Sequence, residues 1–93
     1  MFSVLKYKLD FRLCMDSKGC PIEIPKNSKI LDIQYQDKNI VMWCLVDLSC
    51  EKEKVVRIFE IYGTGQPLLT NNYKHVKTLQ SESGLVWHIF EKI

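Results

Sequence analysis

The chain has 93 residues, of which 46% are hydrophobic and 26% are charged, and thirteen basic against eleven acidic residues give a formal net charge of +2. This composition predicts one folded domain over residues 1–93, with a single small core, and it excludes a disordered chain. The positive charge is too weak and too interspersed to predict duplex nucleic acid as the partner.

Seven extended segments are predicted, with turn-forming residues about every eight to twelve positions and no sustained helical periodicity. The first covers residues 3–13, because its apolar residues mostly alternate with polar ones. A turn at residues 16–19 leads into a short strand at residues 21–24. Pro21 and Pro25 predict that this is an edge strand, since proline cannot donate a hydrogen bond to a neighbouring strand.

The third and fourth segments form a predicted hairpin. Residues 30–36 alternate, with an apolar face (Leu31, Ile33 and Tyr35) and a polar face (Asp32, Gln34 and Gln36). After a tight turn at residues 37–39, residues 40–46 are apolar on both faces, which predicts a central strand. The outer face of such a strand needs a second layer, and 93 residues hardly supply one. We therefore expect a homo-oligomer, either a dimer or a tetramer.

The last three segments cover residues 55–62, 73–80 and 85–93, with a turn at residues 70–72 between the first two of these. A short helical turn between residues 71 and 77 is an alternative, although Val76 and Thr78 disfavour it. The whole pattern is typical of an all-β fold, a small antiparallel sandwich or barrel of about seven strands.

No apolar run approaches the roughly 20 residues that a membrane-spanning helix needs, and lysines interrupt the hydrophobic N-terminus, so we expect a cytoplasmic protein. The cysteines occur as two pairs, each with five intervening residues, namely Cys14, Cys20, Cys44 and Cys50. This spacing fits neither a zinc knuckle nor a redox C-x-x-C motif, and we expect free thiols without metal. A four-thiolate zinc site is the alternative, and Cys44 is expected to pack as a small hydrophobic residue.

The glycine-containing sequence Gly63-Thr64-Gly65 has two interpretations. It can simply turn the chain, or it can offer bare N–H groups to an anionic or polar ligand. The glycines permit positive φ and close approach, while Pro67 stiffens the segment that follows. Residues 62–66 are therefore candidate ligand-binding residues.

Side chains suited to binding outnumber those suited to catalysis. His75, His88 and the scattered acids do not assemble into a nucleophile with a base, paired carboxylates or a metal cluster, so no enzymatic activity is predicted. For His88 a structural hydrogen-bonding role is the alternative. Further binding candidates are aromatic platforms, amides and a cation that suits phosphate: Tyr35, Trp43, Trp87, Gln34, Gln36 and Arg57. Core packing is the alternative for the two tryptophans.

Four motifs occur in register, namely Ile30-Leu31-Asp32-Ile33-Gln34, Trp43-Cys44-Leu45-Val46-Asp47, Ile61-Tyr62-Gly63-Thr64-Gly65-Gln66-Pro67 and Val86-Trp87-His88-Ile89-Phe90. Their order resembles that of a family of small, mostly phage-encoded proteins of about this length. The resemblance spans roughly residues 28–90, and the first thirty residues carry no matching motif. The glycine motif of that family usually ends in histidine, where this chain has Gln66, so a different ligand is expected if this side chain contacts it.

That family is similar to the viral anti-CBASS sponge proteins, which are homo-oligomers that sequester cyclic nucleotide immune signals without cleaving them. The resemblance implies a phage immune-evasion protein that is not an enzyme, needs no cofactor and acts in the host cytoplasm. With the binding chemistry above, it gives nine candidate ligand-binding residues: Tyr62, Gly63, Thr64, Gly65, Gln66, Trp43, Arg57, His88 and Gln34. The alternative is a protein–protein adaptor or inhibitor of a host factor, in which the aromatic residues are interface anchors and the glycine segment is only a turn.

Overall fold

The computed structural model describes residues 1–68 and 71–93 and forms two antiparallel sheets. The first sheet has three strands, β1 (Phe2–Leu9), β3 (Lys29–Gln36) and β4 (Asn39–Asp47), in the order β1-β4-β3. The second has four strands, β2 (Cys20–Pro25), β5 (Lys54–Gly63), β6 (Tyr73–Gln80) and β7 (Val86–Lys92), in the order β2-β5-β7-β6. The predicted all-β fold of about seven strands is confirmed for these residues.

The predicted end of the first strand was wrong, and so was the alternative to the predicted strand at residues 73–80. The first strand ends at Leu9, and a short helix, α1 (Phe11–Met15), follows it. The cause is the Asp10 carboxylate, which accepts hydrogen bonds from the backbone N–H groups of Arg12 and Leu13 and so caps the helix. The alternative helical turn at residues 71–77 is also wrong, because Tyr73 begins β6. The part of the predicted turn that falls on Thr70 lies outside the described residues.

The core lies between the two sheets. Its fully buried side chains come from the facing surfaces of both sheets and from the segment around α1, and they include Leu9, Cys14, Ile33, Met42, Cys44, Phe59, Ile61 and Ile89. At the open edges, β3 lies against β6 and β1 lies near β2, so the sandwich approaches a flattened barrel. Lys77 of β6 and Asp32 of β3 form an ion pair of 2.8 Å across one of these edges. The pKa of the Asp32 carboxyl is lowered by its hydrogen bonds from Lys77 and Gln34.

Strand positions agree with two sequence predictions and differ from a third. β4 is the middle strand of its sheet and β2, with its prolines, is an edge strand, as predicted. The predicted apolar face of β3 is wrong at Leu31, which is 47% exposed. A register shift between Ile30 and Asp32 causes this, because the extra residue of the bulge moves Ile30 onto the core side instead.

The outer face of the three-stranded sheet carries an apolar strip. On β4, Val41 is buried while Trp43 and Leu45 are half-buried. On the neighbouring β1, Phe2 and Val4 are 65% and 52% exposed, and Val4 pairs with Leu45. The central strand is therefore apolar on both faces, as expected, and part of its outer apolar surface is left open to solvent.

Three of the four cysteines, Cys14, Cys20 and Cys44, are buried, and all four are free thiols in the structure. Cys44 packs in the core between Met42 and Val46 on the same face, which confirms its predicted role as a small hydrophobic residue. Burial, with a smaller effect from the adjacent Cys20, raises the pKa of the Cys14 thiol. Within residues 1–68 and 71–93, no three His, Cys, Asp or Glu side chains are grouped to hold a metal ion. None of the helices in these ranges is long and apolar enough to cross a membrane.

Candidate ligand-binding face

The glycine-containing segment forms a tight turn at the end of β5. The backbone N–H of Gln66 donates to the carbonyl of Gly63 at 3.2 Å, and the N–H of Gly63 donates to the Gln66 side-chain oxygen Oε1 at 3.1 Å. The Gln66 side chain therefore folds back on the turn, and its oxygen accepts a hydrogen bond from the Gly63 N–H, one of the groups that were expected to face a ligand. Thr64 and Gly65, at the tip, remain exposed.

The two glycines of the turn have different conformational requirements. Gly65 has φ +88°, and a Cβ built on it would meet no atom within 4 Å. At Gly63, φ lies outside the left-handed region, and a Cβ would meet the Trp87 ring at 3.6 Å, an ordinary van der Waals distance. The expected need for positive φ thus applies to Gly65, while Gly63 provides the surface on which the Trp87 indole lies.

This difference predicts unequal effects of alanine at the two positions. Gly65→Ala should lower the free energy of unfolding by about 1–2 kcal/mol, because a side chain in the left-handed region is strained. Gly63→Ala should leave stability within about 0.5–1 kcal/mol of the parent, since no strain is introduced. Urea unfolding of both variants measures the difference, and equal losses would contradict this account of the turn.

A line of four hydrogen-bonded side chains begins at the turn and crosses the outer face of the four-stranded sheet. Thr64 Oγ1 lies 2.9 Å from His88 Nε2, His88 Nδ1 lies 3.1 Å from Thr78 Oγ1, and Thr78 Oγ1 lies 2.8 Å from His75 Nε2. We call these four residues the Thr–His line. The single hydroxyl proton of Thr78 can be donated to only one of the two imidazoles, so the tautomers of His75 and His88 depend on each other.

An aromatic cluster lies beside the Thr–His line on the same face. Tyr62, Tyr73 and Phe90 meet edge to face with ring centroids 5.9–6.2 Å apart, and the His75 ring contacts Phe90 at 5.5 Å. Tyr62 is only 8% exposed, so it supports the cluster from below. His75 is exposed and Tyr73 and Phe90 are half-buried, so a ligand can reach these three rings.

A buried carboxylate fixes the two tyrosines. Glu60 is 2% exposed, its Oε1 lies 3.8 Å from the Lys92 ammonium nitrogen, and the Tyr62 hydroxyl lies 3.3 Å from its Oε2. The Tyr73 phenol also hydrogen-bonds Glu60, and this bond, which needs the phenol proton, raises the pKa of Tyr73. Two phenol hydroxyls and a lysine ammonium thus surround the Glu60 carboxylate, and they hold the aromatic cluster in one arrangement.

The nine candidate residues from the sequence fall into three groups. Six of them lie together at the glycine turn and on the face beside it: Tyr62, Gly63, Thr64, Gly65, Gln66 and His88. Trp43 and Gln34 lie on the outer face of the other sheet, where Gln34 donates to Asp32 at 2.8 Å. The remaining residue, Arg57, lies between the sheets.

Arg57 is engaged by groups of the protein itself at all three guanidinium nitrogens. Its guanidinium forms a two-point ion pair with Glu91 at 2.5 and 2.7 Å and also donates to the carbonyl of Ser28 at 2.8 Å. This bidentate pair raises the pKa of Arg57. Arg57 therefore joins β5, β7 and the start of β3, and no donor of its planar group is directed at the glycine turn.

Sequence reasoning missed five residues of this face: Glu60, Tyr73, His75, Thr78 and Phe90. Glu60 had a usable signal, because it is a carboxylate within the otherwise apolar run from Ile58 to Tyr62. The other four depend on the register of β6 and β7, in which Thr78 pairs with His88 and His75 pairs with Phe90. A bulge between His75 and Lys77 sets that register, and residue alternation alone does not predict it.

The pair of Thr64 and His88 invites comparison with catalytic hydroxyl–imidazole pairs. In those sites a carboxylate holds the imidazole and stabilises its protonated form. Here the group on the far side of His88 is the neutral hydroxyl of Thr78. The arrangement therefore differs from those sites in the group that orients the imidazole.

The fold and this face define a small β-sandwich with a polar and aromatic surface, the candidate ligand-binding face, next to a tight turn. The whole chain, residues 1–93, matches the model of a family described as a domain of unknown function, DUF7352, and the protein belongs to that family. Comparisons with curated proteins and with solved structures gave no match.

Proposed function

We propose that this protein binds a nucleotide signal of the cyclic-nucleotide class and sequesters it without cleaving it. The observation that carries the proposal is the Thr–His line, which ends at the exposed tip of the glycine turn and runs beside an aromatic cluster. Hydroxyl and imidazole donors suit phosphate oxygens, and the rings of His75 and Tyr73 suit a stacked base. The motif resemblance to phage-encoded proteins, and through them to sponge proteins, supports the same class of ligand.

One tautomer pattern makes the Thr–His line a phosphate donor. If His75 Nε2–H donates to Thr78 and Thr78 donates to His88 Nδ1, then His88 Nε2–H donates to Thr64. The Thr64 hydroxyl proton is then free to point away from the protein toward an anionic oxygen. Because Gly65 carries no side chain, a phosphate can approach the tip closely from this side.

Holding the ligand intact is the second half of the proposal. Sequestration requires affinity and no nucleophile, and the neutral Thr78 behind His88 gives little help to a hydrolytic reaction. A cyclic dinucleotide has two phosphates and two bases, so a tetramer, in which a second two-fold contact joins two of these faces, would supply matching contacts to both halves. In the setting that the resemblance implies, the protein would remove a defence signal in the cytoplasm of an infected host.

We also propose that the protein assembles into a homo-oligomer through the outer face of the three-stranded sheet. Its half-buried Trp43 and Leu45 and the exposed Phe2 and Val4 form an apolar strip that a second copy would cover. Light scattering at micromolar concentration is expected to give a multiple of 10.9 kDa. A monomer would overturn this assembly. It would favour the same strip as a docking surface for a different protein, which is the adaptor alternative.

Calorimetry against a panel of cyclic di- and trinucleotides tests the function directly. We expect tight binding of at least one member, followed by chromatographic recovery of the intact ligand after the protein is denatured. Recovery of a linear product would replace the sequestration proposal with an enzymatic one. If no member of the panel binds, the nucleotide class itself is wrong.

A further inference from the structure

A second cavity, separate from the Thr–His line, opens where α1 and the β3–β4 hairpin meet. Its volume is about 480 Å³, within the range of roughly 300–1,000 Å³ that small-molecule sites occupy. Three aromatic rings and three cations line it: Phe11, Tyr35, Trp87, Lys8, Arg12 and Lys38. No residue of the Thr–His line belongs to this cavity.

The aromatic rings are held in place by the core. Phe11 meets Trp87 edge to face with centroids 5.0 Å apart, and both pack against buried residues of the sandwich, as does Tyr35. Burial raises the pKa of Tyr35, so its phenol stays protonated and remains a hydrogen-bond donor. A planar ring can therefore stack in this cavity against side chains that are already ordered, which reduces the entropy cost of binding.

The cations of the cavity lack partners of opposite charge. The ion pairs among the described residues involve Arg57, Lys77 and Lys92, and none involves a cation of this cavity. The one carboxylate in the lining is that of Asp10, and it accepts hydrogen bonds of 3.0 and 3.2 Å from backbone N–H groups as the cap of α1. Three cations against one carboxylate thus leave a net positive charge next to an aromatic wall.

Lys38 occupies a backbone conformation that side chains rarely adopt. Its φ is +69°, and the preceding Asp37 has φ +51°. A two-residue hairpin turn of this type usually has glycine at the second position, where lysine is strained. The strained conformation places a lysine at the mouth of the cavity, where glycine would fit the turn better.

We propose that this cavity binds a small ligand in which a planar aromatic ring carries an anionic group, with a nucleoside 5′-monophosphate as the best match. The ring would lie against Tyr35 and Trp87, and the phosphate would lie among Lys8, Arg12 and Lys38. A phosphate dianion suits three cations better than a single carboxylate would, because the phosphate carries more negative charge. The proposal does not depend on ligand binding at the glycine turn, because the two sites share no lining residue.

The first experiment is calorimetry of the full chain with four probes: AMP, adenosine, ribose 5-phosphate and benzoate. AMP is expected to bind, and adenosine and ribose 5-phosphate, which each lack one half of the recognised chemistry, are expected to bind at least about tenfold more weakly. Benzoate distinguishes a phosphate site from a site for any aromatic anion. Absence of binding by both AMP and benzoate at millimolar concentration would overturn the proposal.

Variants of the turn locate the site. Lys38→Gly should raise the unfolding temperature, because it relieves the left-handed conformation, and should weaken AMP binding about threefold to tenfold through the lost charge. Asn27→Gly is the matched control, since Asn27 has φ +65° and does not line the cavity. It should give a smaller gain in unfolding temperature, because asparagine tolerates the left-handed region better than lysine, with unchanged AMP affinity. Arg12→Gln should weaken AMP binding further than Lys38→Gly, since the guanidinium contacts phosphate at two points.

Thr64→Val separates this site from the glycine turn. AMP affinity should be unchanged in Thr64→Val, whatever that variant does to cyclic nucleotides. If Thr64→Val weakens AMP and Lys38→Gly does not, the nucleotide binds on the Thr–His line and the cavity is not its site.

Discussion

Replacing Gly19 with alanine is expected to lower the free energy of unfolding by about 3 kcal/mol, the largest effect of any single glycine replacement in this chain. Gly19 has φ +75°, which costs an alanine about 1–2 kcal/mol. A Cβ there would lie 2.6 Å from Ile58 Cγ2 and 3.0 Å from the backbone oxygen of Phe59. The second contact is with backbone, so a side-chain rotation cannot relieve the clash.

Gly84→Ala is the matched control for this prediction. Gly84 has nearly the same conformation, φ +86°, but a Cβ on it would meet no atom within 4 Å. Its alanine variant should therefore lose only the strain energy, about 1–2 kcal/mol. Urea unfolding of the two variants measures the difference, which is the cost of the contacts with β5. Equal losses would show that β5 moves aside at no cost.

A side chain at Gly19 would also affect the candidate ligand-binding face, because Gly19 connects α1 to β2 next to the buried carboxylate of Glu60. A Cβ at Gly19 would come within 3.1 Å of Glu60 Cγ. Glu60 in turn holds the hydroxyls of Tyr62 and Tyr73. We therefore expect that a folded fraction of Gly19→Ala would have a disturbed aromatic cluster, which near-ultraviolet circular dichroism would detect.

The number of strands, the central position of β4 and the edge position of β2 could be predicted from the sequence because local patterns decide them, whereas the order of the strands could not. Residues 40–46 are apolar on both faces, and only a central strand buries such a sequence. The prolines of β2 likewise specify an edge. Prediction was wrong where a single side chain overrides alternation. Asp10 caps a helix inside what the pattern extends as a strand, and the bulge moves Leu31 off the core face of β3 and Ile30 onto it.

The candidate ligand-binding face could be predicted only in part, because it depends on pairing between strands that are far apart in the sequence. The glycine turn and Tyr62 are adjacent in the chain, and the sequence motif grouped them. His88 joins them since Tyr62 pairs with His88 in the β5–β7 register. Arg57 has the chemistry of a phosphate ligand, yet alternation places it on the core side, where Glu91 engages it. Residue type predicted the chemistry, and strand register decided which residues came together.

Thr64→Val is expected to weaken cyclic nucleotide binding by roughly 1.5–3 kcal/mol, or about ten- to a hundredfold in affinity. The substitution removes the hydroxyl at the end of the Thr–His line while keeping the shape and the strand preference of the side chain. Thr64 is exposed at the turn, so stability should change little. Calorimetry with the nucleotide that binds the parent most tightly gives the affinity, and thermal unfolding confirms the fold.

Thr78→Val is the matched control, because it makes the same chemical change at the other side of His88, 3.1 Å from Nδ1. If the Thr64 hydroxyl itself contacts the phosphate, Thr78→Val should weaken nucleotide binding much less than Thr64→Val. The reason is that Thr78→Val removes only a group that orients the imidazoles of His75 and His88. Equal losses of affinity in the two variants would mean that His88, the residue they share, makes the ligand contact.

If Thr64→Val, Thr78→Val and Gln66→Ala all bind as tightly as the parent, the glycine segment is only a turn. The nucleotide site must then lie elsewhere, and the cavity lined by Tyr35, Trp87 and Lys38 becomes the next surface to test.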